Sequence, residues 1–82
     1  MEEKLISDNA SNSLELFERL SPREKEIIIM VAEGMSNQNI GQKLFISDKT
    51  VKNYVTSIRR KLALENRIQI ALYAIKNGLV KL

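Results

Sequence analysis

Residues 47–62 read Ser-Asp-Lys-Thr-Val-Lys-Asn-Tyr-Val-Thr-Ser-Ile-Arg-Arg-Lys-Leu, and their spacing predicts a helix with two unlike faces. At about 100° per residue, Val51, Val55, Ile58 and Leu62 fall in one narrow arc, the stripe that a small domain turns to its core. Lys49, Asn53, Thr56 and Arg60 fall nearly opposite, flanked by Lys52 and Ser57. Ser47 is an N-cap residue type, and Asp48 sits in the first turn, where the helix dipole favours an acid. A merely solvated face mixes Glu with Lys. This one carries long cations among amides and hydroxyls, with no acid beyond Asp48. Lysine and asparagine both reach base edges in a major groove.

Immediately upstream, Ser36 caps a shorter helix carrying Ile40 and Leu44, and a short turn through Phe45 and Ile46 joins the two. A capped helix, a tight turn and a second capped helix with a basic outer face describe a helix-turn-helix. Further upstream, Ser21-Pro22-Arg23-Glu24 is a strong helix start: Ser21 as N-cap, Pro22 at the first helical position, Glu24 closing a capping box. That helix runs to Gly34, where a left-handed cap wants glycine. Downstream, a fourth helix starts near Asn66 and ends before Gly78. No useful stretch alternates with the strand period. The expected fold is all-α, a four-helix helix-turn-helix domain over residues 20–82. Residues 1–19 form an N-terminal tail or linker, polar through Ser13.

Composition narrows the function. The chain has 82 residues, at most one domain, with no cysteine and no histidine. Disulfides, Cys/His zinc sites, Cys or His nucleophiles and His general bases are therefore excluded. No catalytic constellation is visible, so no enzyme, metal or cofactor is expected. The longest apolar run, Ile27 to Ala32, is six residues, far short of the ~20 of a membrane span. The start MEEKLISDN is not that of a secretory signal. Net charge is +3, unevenly spread. Residues 1–20 hold five acids against two bases; residues 21–82 hold eleven bases against five acids. Within Asp48 to Lys61 stand five bases and one acid. Positive charge concentrated on one short element suggests a polyanion partner.

Leu20-Ser21, Arg23-Glu24, Ala32-Glu33-Gly34, Ser36-Asn37, Ile46-Ser47, Thr50-Val51-Lys52, Lys61-Leu62 and Arg67 together resemble the LuxR-type helix-turn-helix, also called GerE/NarL-type. The resemblance covers Leu20 to about Ile75. Two positions depart from the pattern: Asn39 stands where an acid is common, and Gly41 where alanine is usual. Gly41 weakens its helix by ~1 kcal/mol, and it lets the third helix pack closer.

The resemblance implies a cytoplasmic transcription regulator that binds double-stranded DNA sequence-specifically, with residues 48–62 as recognition helix. Carried over position by position, Lys49, Lys52, Asn53 and Thr56 face bases. Asn37, Gln38, Thr50, Tyr54, Arg60 and Lys61 hold phosphates by backbone amides, hydroxyls or charge. Simpler structural roles also stay open: Thr50 completing a cap, Tyr54 half in the core, Arg60 and Lys61 suiting a helix C-terminus. Members of this family often carry an N-terminal sensor or receiver domain, which twenty residues cannot form. Two readings stay open: a free-standing regulator with a short tail, or the output domain of a larger protein.

Two contacts are expected outside the DNA face. The resemblance gives the fourth helix a pairing role around a two-fold axis, as a homodimer; pairing only on DNA and pairing off DNA both stay open. Its copies would place two recognition helices about 34 Å apart on an inverted repeat. Helical spacing puts Ile68, Ala71, Leu72 and Ile75 towards the core, leaving Ile70, Tyr73, Ala74 and Asn77 outward as the interface. Leu14, Leu16 and Phe17 are expected to form an extra helical turn packed on the first helix near an exposed Ile29. Two other readings remain. A sigma-factor region-4-like promoter-binding domain shares the opening and the Thr-Val-Lys helix but usually lacks the fourth helix. A small helical protein that sequesters a regulator without touching DNA needs the basic face to be incidental.

Overall fold

The computed structural model describes residues 15–81; the tail expected over residues 1–13, and Leu14, lie outside them. The described residues form α1 (Pro22–Ala32), α2 (Asn37–Leu44), α3 (Asp48–Leu62) and α4 (Arg67–Lys76), preceded by a helical turn at 15–18. Each helix begins at a side-chain cap. The Ser21 hydroxyl accepts from the Glu24 N–H at 3.1 Å, and the Glu24 carboxylate accepts from the Ser21 N–H at 2.9 Å. Ser36, Ser47 and Asn66 accept from Asn39, Thr50 and Gln69 in the same way. Such a cap typically contributes about 1 kcal/mol by satisfying an otherwise orphaned donor. Gly34 ends α1 at φ +87°, a conformation that costs glycine nothing.

The core runs through the centre of the four helices. α1 supplies Ile27, Ile28, Met30 and Val31, α2 supplies Ile40, α3 supplies Val51, Val55, Ile58 and Leu62, and α4 supplies Ile70 and Ala74. α1 packs on both α3 and α4, while α2 packs on α3. The approach of α2 to the start of α3 depends on Gly41. A Cβ there would lie 2.5 Å from the Ile46 carbonyl oxygen, and the Ile46 N–H already donates to the Gly41 carbonyl at 2.9 Å. Gly41 therefore sets the tightness of the turn between the two helices.

Upstream of Leu20, the turn at 15–18 is helical, with Leu16 and Phe17 packed against the core. The contacts that fasten it run to Lys25. Its ammonium lies 5.1 Å from the centre of the Phe17 ring and 3.3 Å from the Glu18 carboxylate. Ile29 is half-buried rather than exposed. The packed unit thus reaches upstream of Leu20.

The face of α4 is the reverse of the sequence expectation. Ile70 and Ala74, assigned outward with Tyr73 and Asn77 as an interface, are fully buried, and Tyr73 is half-buried against the core. Asn77 is half-buried and donates from its side-chain amide to the Tyr73 carbonyl at 2.8 Å. Ile68 and Leu72, assigned to the core, are 70% and 50% exposed. The reason is Arg67. Its guanidinium donates to the Met35 carbonyl and to Asn37 Oδ1, both at 2.6 Å. That pins the first residue of α4 against the segment joining α1 and α2. Residues three and seven positions further share its face, and these are Ile70 and Ala74. No helix among the described residues is long and apolar enough to cross a membrane.

Candidate nucleic-acid interface

α3 presents its sequence-predicted faces as expected. Val51, Val55, Ile58 and Leu62 are buried, so the opposite side of the helix is turned to solvent. Lys49, Lys52, Asn53 and Thr56 are all exposed on it, and Arg60 continues the row at the C-terminal end, also exposed. The carrier is capped at its start. Ser47 caps the helix, and its hydroxyl lies 2.8 Å from that of Thr50. Thr50 is half-buried, its hydroxyl engaged in the cap while one face stays accessible.

The other expected phosphate ligands divide. Gln38 is exposed in the first turn of α2, where backbone N–H groups and the helix dipole favour an anion. Tyr54 is half-buried and packed against the core cluster. Asn37 accepts the Arg67 guanidinium through Oδ1, so that atom is committed to holding α2 against α4. Lys61 is also committed. Its ammonium lies 3.1 Å from Glu24 Oε1 and is half-exposed. Arg59, counted in the basic cluster, donates to the Glu65 carbonyl at 2.7 Å and so braces the link between α3 and α4. Lys49, Lys52 and Arg60 are the exposed interface cations with no carboxylate partner among the described residues.

Glu24 has a larger role than its capping box revealed. It is 3% exposed, the one buried charged side chain among the described residues. Its carboxylate accepts from the Ser21 N–H, from the Ser57 hydroxyl at 3.0 Å and from Lys61. Burial pushes its pKa up, but the bonds from Ser21, Lys61 and Ser57 and the Lys61 charge outweigh that and hold it below the usual carboxylate range. One carboxylate therefore closes the cap of α1 and clamps α3 at two positions one turn apart. The sequence signal was the four-residue spacing of Ser57 and Lys61 on one side of α3. What it lacked was any mark that Glu24 faced them.

The arrangement can hold a capped helix against an anionic, grooved surface. Amide, hydroxyl and ammonium groups point outward, with positive charge at both ends of the row. A model of the family described as bacterial regulatory proteins, luxR family, matches residues 18–74. The chain is 49% identical over 63 residues to the transcriptional regulatory protein LiaR of Bacillus subtilis (strain 168), covering 77% of this chain and 30% of that one. It is 42% identical over 67 residues to the response regulator protein VraR of Staphylococcus aureus, covering 82% of this chain and 32% of that one. The match to VraR of Staphylococcus epidermidis has the same extent. The chain thus spans about a third of the length of these curated relatives. The capped helix-turn-helix, its outward polar row and the matched family model agree: the chain belongs to the luxR family of bacterial regulatory proteins.

Proposed function

We propose that this domain binds double-stranded DNA sequence-specifically as part of a transcription regulator, with α3 in the major groove and no catalytic activity of its own, in the bacterial cytoplasm. The observation that carries the reading is the exposure of Lys49, Lys52, Asn53 and Thr56 together on the solvent face of a capped, buried-backed α3. These four read base edges. The first turn of α2 at Gln38, the accessible faces of Thr50 and Tyr54, and Arg60 hold the backbone on either side. Asn37 and Lys61 support the site mainly by positioning α2 and α3. Residues 1–19 act as a linker whose last turn docks on α1. The domain pairs with a second copy through α4 on an inverted repeat, using the outward Ile68 and Leu72 in place of Ile70 and Ala74.

Gel shift on a duplex selected from a randomised pool, at low and moderate salt, tests this. Asn53→Ala and Lys52→Ala each lose about 1–3 kcal/mol of discrimination against altered bases. Arg60→Ala weakens all duplexes alike and lowers the salt slope by about one phosphate's worth. An Asn53→Ala chain with unchanged affinity and base preference removes the assigned reading face.

A further inference from the structure

Phe45 is out of place by every local criterion. Its side chain is 93% exposed, more than Ile68 or Leu72. Its backbone lies in the left-handed region at φ +61°, where a bulky residue is an outlier and glycine or asparagine is the usual occupant. The fold does not need the ring. The bond that closes α2 runs from the Phe45 backbone N–H to the Gly41 carbonyl, and any residue but proline can supply it. The ring is absent from the core cluster and from the hydrophobic side chains packed on it. Ala63 holds the matching left-handed position after α3 with a far smaller side chain. Glycine at position 45 would suit the backbone and the solvent better than phenylalanine does.

Its surroundings indicate what the ring meets. Phe45 stands three residues before Asp48, the first residue of α3. The N-terminal residues of a recognition helix contact base edges, so the turn that precedes them sits at the rim of the same groove. Exposed Lys43 and Lys49 flank it in the chain, with exposed Asp48 beside Lys49, so the stretch keeps a net positive charge that suits a polyanion. Among the base edges lining the major groove, the apolar group is the C5-methyl of thymine, and phenylalanine is one of the side chains that contact it. Resting on the DNA-binding reading above, we propose that Phe45 is a specificity-determining residue that packs on a thymine methyl at the edge of the half-site read by α3. The ring contributes selectivity at a position where Lys49, Lys52, Asn53 and Thr56 make no hydrogen bond.

The test pairs a protein change with a DNA change that removes only the methyl. The wild-type chain is used to select a duplex from a randomised pool. Affinities are then measured for that duplex and for versions in which each thymine in turn is replaced by deoxyuridine. Phe45→Gly and Phe45→Asn are both at ease at this φ, and circular dichroism melting checks their fold. The wild type loses about threefold to tenfold at one thymine. Both variants bind the thymine duplex more weakly by a similar factor and are indifferent to uridine at that position. Equal losses on uridine replacement in wild type and variants overturn the assignment, as do variants that bind the thymine duplex as tightly as wild type. If the wild-type chain binds no duplex at low salt, the DNA-binding reading fails and this inference with it. The unmodified protein alone therefore separates the two failures.

Discussion

Glu24 joins α1 to α3, the helix that carries the interface. A buried carboxylate is tolerated when its oxygens are bonded and a counter-charge is near, and here a backbone N–H, a hydroxyl and an ammonium meet those needs. Glu24→Gln keeps the shape but loses the charge, so it is expected to cost about 1–3 kcal/mol in denaturant unfolding. The pH dependence follows from the depressed pKa. A carboxyl that ionises more readily in the folded chain stabilises it fully above the ordinary value of 4.5. That contribution is lost as pH falls through the lower native value. Acid titration of stability should show this loss in the wild type and a reduced loss in Glu24→Gln. Equal acid sensitivity of the two chains would mean that Glu24 is not the clamp.

At the scale of elements, two junctions fix where α3 points and which way α4 faces. Gly41→Ala gains helix propensity of about 1 kcal/mol, yet places a Cβ 2.5 Å from the backbone oxygen of Ile46. Backbone has to move, and overpacking of this kind costs about 1–3 kcal/mol. The expected result is a net loss of stability, together with weaker DNA binding because the start of α3 is displaced. A chain with alanine at this position must set its turn farther from α2. On α4, Ile70→Ala opens a cavity beneath α1 and should cost about 2–5 kcal/mol. Ile68→Ala, on the exposed side, should stay within about 0.5 kcal/mol. Thermal melting of the pair distinguishes the two faces directly.

For the whole molecule, the exposed Ile68 and Leu72 lie on α4, while the proposed DNA face lies on α3. The proposed pairing of two copies through α4 leaves both recognition helices free. Changing Ile68 to Glu and Leu72 to Lys is expected to abolish cooperative occupation of a duplex with two half-sites. Single-half-site binding and the melting temperature should change little, because neither side chain belongs to the core. Cooperativity that survives the double change places the pairing surface elsewhere.

The caps, the helix boundaries and the two faces of α3 were all legible in the sequence. A cap involves residues three apart, and α3 has apolar residues on one side only, so local rules suffice there. The exposure of Lys49, Lys52, Asn53 and Thr56 follows from that same asymmetry. α4 differs because Ile68 and Leu72 compete with Ile70 and Ala74 as apolar stripes, and helical period alone does not choose between them. The choice came from Arg67 reaching Met35 and Asn37, contacts some thirty residues away in the chain. Glu24 escaped for the same reason, since Ser57 and Lys61 are 33 and 37 residues downstream. What the sequence determined by itself is whatever a few neighbouring residues decide through backbone hydrogen bonds and one-sided apolar spacing. The tertiary structure decided which of two apolar faces is buried and which charged groups are occupied, because both depend on partners brought near only by the packing of the four helices.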